Sequence, residues 1–169
     1  MLLAEALAAR KDALAEIDDL RDRLAAAVRR YEDQSTPADD PAEVVGALGR
    51  ALDTYESLVV RINHTNNATW LAFDGRDLSV MQAIALRERL ILEAKARRGA
   101  VESLEHATGT GKSGRSRGWL GPKRSKDDVR ELPTVELRTE RQVADHLAET
   151  VRRLDMALQQ RNWTTDLLE

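Results

Sequence analysis

Arg61-Ile62-Asn63-His64-Thr65-Asn66-Asn67-Ala68-Thr69-Trp70-Leu71-Ala72-Phe73-Asp74-Gly75-Arg76-Asp77-Leu78-Ser79-Val80-Met81-Gln82-Ala83 is the stretch in which helical periodicity breaks and a hairpin signal appears. Before it, Leu48, Leu52, Tyr55, Val59 and Ile62 recur at steps of three and four, the spacing of one helical stripe. Asn63, Thr65, Asn66 and Asn67 follow. Their short amide and hydroxyl side chains compete for backbone hydrogen bonds, so they predict the end of that helix near Ile62. Thr69 to Phe73 is a β-favouring run that leads into Asp74-Gly75. This pair suits a type I′ turn, in which both central residues need positive φ, and predicts a short β-hairpin. Ser79, with Gln82 three residues on, forms a capping box that opens the next helix. The expected order is helix, hairpin, helix.

The rest of the chain reads as long helix. Of its 169 residues, 33% are charged and only 4% aromatic. That composition, carried on a heptad-like pattern, points to long helices with coiled-coil contacts, whose core is commonly completed by a partner chain. A net charge of −3 selects no partner by itself. The absence of cysteine rules out disulfides, thiol catalysis and thiolate zinc sites, and fits a reducing cytoplasm. Met1 to Glu5 lacks the basic start and apolar run of a secretory signal, and no segment has about 18 consecutive uncharged apolar residues. The expectation is a cytoplasmic protein with no membrane span.

Outward toward the N-terminus, Leu3, Leu7, Leu14, Ile17, Leu24, Val28 and Tyr31 share one heptad frame, which predicts a helix over about residues 2 to 32. Such a helix, about 45 Å long, requires a partner of similar length. Gln34 to Pro41 is a linker, and Asp40-Pro41 is a helix start with Asp as N-cap. Gly46 and Gly49 then mark a local weakness or a close backbone approach. Beyond the hairpin, a third helix is expected from Val80 to about His106. A last one is expected from Thr134 or Thr139, where Thr139 and Gln142 make a second capping box, and it should close at Arg161-Asn162. Asp128 to Leu132 is a candidate third strand, and Trp163 and Leu167 read as docking residues.

Between Thr108 and Lys126 six cations (Lys112, Arg115, Arg117, Lys123, Arg124 and Lys126) stand among five glycines with no acidic residue. Removing this +6 from the formal −3 leaves the remainder at −9. A flexible basic loop over 108–127 could neutralise phosphates without reading sequence, with Trp119 available to stack on a base. It could equally pair with an acidic protein surface. Gly111-Lys112-Ser113 resembles the end of a phosphate loop, but His106 stands where that loop needs glycine. A second candidate site is a ligand pocket of Asn63, His64, Thr65, Asn66, Asp74 and Trp163. The competing reading makes the amides and hydroxyls a helix cap and hairpin support. The three histidines, His64, His106 and His146, have no metal-ligand spacing, so no metal or cofactor is expected.

Met1 to Leu7, Arg61 to Asn66, Asp74 to Ser79, Pro133 to Leu137 and Asn162 to Leu167 together resemble a small family of uncharacterised bacterial helical proteins, often labelled septicolysin. The resemblance spans the chain except for the basic loop, which is longer and more glycine-rich. It implies a mostly helical, coiled-coil-like oligomer with a small β element. The label implies a cytolysin, although the residues show no export signal or membrane-inserting segment. The combined expectation is one elongated, mainly α domain over 1–169: about four long antiparallel helices with a central hairpin or three-stranded β element. Functionally, it reads as a non-enzymatic, homo-oligomeric structural or interaction protein. The alternatives are nucleic-acid or polyanion binding through residues 112–126, and ligand or metal binding at Asn63–Asn66.

Overall fold

A computed structural model describes residues 1–29, 39–108 and 136–169, with side chains to 105 in the second stretch. In chain order these form α1 (Leu3–Ala27), α2 (Pro41–Ala68), β1 (Trp70–Phe73), β2 (Arg76–Ser79), α3 (Val80–Thr108) and α4 (Leu137–Thr164). The protein is mainly α, with one antiparallel hairpin among the described residues. The expected third strand at Asp128 to Leu132 and the basic loop both lie outside the described residues. The described chain divides into two compact units, Met1–Ile84 with Met156–Glu169 and Ala85–Asp155, so the division falls within α3 and α4.

In the first unit α1 and α2 pair through two seven-residue repeats. Ala6, Ala13, Leu20 and Ala27 are buried on α1, and Val44, Ala51, Leu58 and Thr65 on α2. Leu3 and Ala6 cluster with Leu58 and Ile62, whereas Leu20 clusters with Val44 and Ala51, so the helices run antiparallel. Alanine at three of the four α1 positions allows close approach, and each buried Leu or Ile contributes about 1.5–3 kcal/mol. Asp40 caps α2 by accepting from the Ala42 N–H at 2.9 Å, with Pro41 in the first turn as expected.

The hairpin is confirmed. Trp70 pairs with Ser79 and Phe73 with Arg76, and Asp74 (φ 47°) and Gly75 (φ 75°) supply the two positive-φ residues of the turn. Ser79 and Gln82 form the predicted capping box: the Ser79 N–H donates to Gln82 Oε1 (2.9 Å) and the Gln82 N–H to Ser79 Oγ (3.2 Å).

Four boundaries differ from expectation. α1 stops at Ala27 rather than near residue 32, with Val28 as its C-cap, in αR backbone and with its N–H still bonded to the Leu24 carbonyl (3.1 Å). α2 does not stop at Ile62 but runs through the amide cluster to Ala68. α4 starts at Leu137, ahead of Thr139, whose hydroxyl donates to the Glu136 carboxylate (3.1 Å) rather than capping. It also continues past Asn162 to Thr164, whose hydroxyl donates back to the Gln160 carbonyl (3.0 Å). Among the described residues no backbone approaches Gly46 or Gly49: a Cβ added at Gly49 would meet nothing within 4 Å.

In the second unit, Leu90, Ala94 and Val101 on α3 and Ala144 and Leu154 on α4 are buried. Ion pairs stitch the two helices: Arg87 with Asp155, Arg97 with Glu140 (2.7 Å) and Arg141 with Glu105. Arg97 also bonds Glu93 within its own helix (3.2 Å). The Glu140 and Glu93 carboxylates raise its guanidinium pKa further, so it stays charged.

Candidate functional site

The amide and hydroxyl cluster on α2 receives the chain's own last segment. Beyond Thr164 the backbone turns along the start of α1. The Leu3 N–H donates to the Thr165 carbonyl (2.8 Å) and the Leu167 N–H to the Met1 carbonyl (2.9 Å), forming an antiparallel bridge between Leu2 and Asp166. Leu167 inserts into the apolar cluster of Leu3, Ala6, Ala13, Leu58 and Ile62. Thr65, fully buried, works in both directions: its hydroxyl donates to the Arg61 carbonyl (2.8 Å) and accepts the Leu168 N–H (2.9 Å). Arg61 Nε donates to the Leu168 carbonyl (3.0 Å), and His64 Nδ1 lies 3.3 Å from the Glu169 carbonyl oxygen.

Arg61, His64 and Thr65 hold the segment 165–169, a structural task but not the capping task expected of them. The six proposed pocket residues do not converge. Consecutive helical residues point about 100° apart, so Asn63 and His64 are exposed while Thr65 and Asn66 are buried. Asp74 sits in the hairpin turn, and among the described residues Trp163 is 63% exposed on α4. Leu167 packs within the chain. Lys112, Arg115, Arg117, Trp119, Lys123, Arg124 and Lys126 lie outside the described residues.

Two features escaped the sequence reading. Arg161 Nε donates to the Trp70 carbonyl (2.7 Å), tying α4 to the outer edge of β1 beside a small groove lined by Leu71, Ala72, Ala157, Gln160 and Thr164. In the second unit, Ile91, Ala94, Gly99, Ala148 and Val151 line an open groove of about 540 Å³ with Lys95, Arg98 and Glu102 among its charged residues. Neither groove includes a residue of the proposed pocket. Among the described residues, no group of three or more His, Asp or Glu side chains is placed to hold a metal ion. None of the described helices is long and apolar enough to cross a membrane.

Comparison with known proteins places the chain without assigning it chemistry. No curated protein matches it. A functionally unknown conserved protein from Corynebacterium diphtheriae, known from its crystal structure, is 26% identical, with a TM-score of 0.79 over 99% of both chains. Residues 10–167 match the family described as a family of unknown function, DUF6847, and the chain belongs to that family.

Proposed function

We propose that this chain is a non-enzymatic, homo-oligomeric helical protein whose role is structural or mediates interaction. The observation that carries the reading is the large apolar side chains left in solvent on α1, α2 and α4: Leu14 (48% exposed), Leu52 (46%), Met156 (71%) and Trp163 (63%). Single exposed leucines are ordinary on any surface. Exposed Met and Trp on helices already rich in heptad spacing are the composition of an interface core. Native mass spectrometry and sedimentation velocity of the purified chain test the reading. The expected result is a discrete oligomer carrying no small ligand. A monomer at all concentrations up to about 100 μM would refute it, because even the weakest useful assembly associates in that range.

A second reading has its own support in the composition of residues 112–126, where six cations stand without one acid. It makes the segment a polyanion-binding element, for nucleic acid or for an acidic protein surface. Neutralising Lys112, Arg115, Arg117, Lys123, Arg124 and Lys126 should then abolish salt-sensitive retention on nucleic acid. Retention unaffected by those changes would remove this reading.

A further inference from the structure

We infer that the open face of the α1–α2 pair is where a second copy of this chain docks; the inference rests on the oligomeric reading above and names its surface. The geometry follows from the two buried repeats. On each helix the residue after a buried one lies about 100° further round. Leu14 follows Ala13 and Val28 follows Ala27; Val45 follows Val44 and Leu52 follows Ala51. In two antiparallel helices, offsets of the same sense fall on the same side of the pair. Leu14, Val28, Val45 and Leu52, all 46–66% exposed, therefore share one face. Between these flanks Ile17, Leu24 and Leu48, packed against the Leu20–Val44–Ala51 cluster, are only partly buried and form the floor. Gly49, between Val45 and Leu52 at helical spacing, has open space where a side chain would stand.

Three observations select a second copy over other occupants. The spacing is a seven-residue repeat on both helices, Leu7, Leu14 and, past Arg21, Val28 on the first and Val45, Leu52 and Val59 on the second, which is the register a partner helix needs and a small ligand does not. The face also favours no partner of one sign. Arg21, which interrupts the α1 repeat, is neutralised by Asp18 (3.2 Å) and Asp22 (3.5 Å) of its own helix. The available area suits a two-fold contact. Leu167 closes the cluster at the other end of the pair, leaving about 26 Å of helix from Lys11 to Val28. Two helices about 10 Å wide then offer roughly 500 Å² per copy, or about 1,000 Å² in all, the lower bound for a specific interface. An interface that small gives a reversible dimer.

The test uses the full chain. Leu14→Glu with Leu52→Glu should weaken self-association by more than about 100-fold in sedimentation equilibrium while leaving the helical circular dichroism intact, because both side chains are half exposed in one copy. Leu92→Glu, on α3 in the other unit, should leave association unchanged. The chain has no cysteine, so single variants give a second readout that survives any folding defect of the double variant. A short bis-maleimide should trap Leu14→Cys or Leu52→Cys as covalent dimers and leave Leu92→Cys monomeric. If the wild type associates, but the double Glu variant associates equally and only Leu92→Cys is trapped, the face is wrong and the oligomeric reading stands. A wild type that is monomeric throughout overturns both.

Discussion

Replacing Thr65 by valine separates the hydroxyl of the tail clasp from the packing around it. Valine keeps the shape of threonine but cannot accept the Leu168 N–H, which has Thr65 Oγ1 as its partner at 2.9 Å. The Arg61 carbonyl, which also receives the hydroxyl at 2.8 Å, keeps its helical backbone partner, so the loss is concentrated on one amide. A part-buried N–H without its partner costs about 1–2 kcal/mol. For a chain of this size that is a fall in Tm of roughly 2–8 °C. The same energy should speed exchange of the Leu167 and Leu168 amides about 5- to 30-fold by letting the segment open more often. Two-dimensional NMR after transfer to deuterated buffer reads each amide separately. Thr65→Ser, which retains the hydroxyl, should keep most of the protection. Equal exchange at Leu167 and Leu168 in wild type and Thr65→Val would show that the hydroxyl does not hold the segment, whatever the change in Tm.

Two further outcomes are expected. Gly75→Ala forces a side chain into the turn at φ 75° and should cost about 1–2 kcal/mol, read as a lower urea midpoint with an unchanged slope; an unchanged midpoint would refute the strain argument. The Asp39 carboxyl is held below the ordinary carboxylate value, first by its hydrogen bond from Arg23 and then by that cation's charge. A depressed folded pKa means the Arg23–Asp39 contribution is fully present above about pH 3.9 and is lost as pH falls through the lower folded value. Carbon-detected titration of Asp39 in Arg23→Gln should return it to the ordinary value, and a midpoint that does not rise would exclude this pair as the cause.

What the sequence revealed were the features whose cause is local. Asp74-Gly75 needs left-handed backbone, and Ser79 with Gln82 satisfy each other within one turn, so both were readable from adjacent residues. The long α1 helix was readable from its repeat, but not the stripe it buries: Ala6, Ala13, Leu20 and Ala27 face inward, whereas Leu14 and Val28 of the expected frame stay exposed, because alanine lets the backbones approach where leucine would hold them apart. The end of α2 was misread because its cause is not local. Asn63 to Asn67 lower helix propensity by only about 0.5 kcal/mol each, and that deficit is offset by hydrogen bonds to residues about 100 positions away. Local rules register the amides and cannot register Leu168. Proximity in sequence put Asn63 to Asn66 together, but the helix running through them fans them around its axis, two outward and two inward. Trp163 was expected to dock because tryptophan usually does, and in a single copy of the chain it stays in solvent.

The docking of Leu167 among Leu3, Leu58 and Ile62 has a consequence for the order of events during synthesis. The α1–α2 pair is complete once α2 has left the ribosome, yet one wall of its apolar cluster is encoded roughly 100 residues later. At about 5–20 residues per second, the nascent pair waits some 5–20 s with Leu3 and Ile62 uncovered. During that interval the Arg61 guanidinium and the His64 ring lack their partners in residues 168–169, and the Thr65 hydroxyl has the Arg61 carbonyl alone. The first unit is therefore discontinuous in time as well as in sequence, and its last few residues act as the lock that closes an already assembled helix pair.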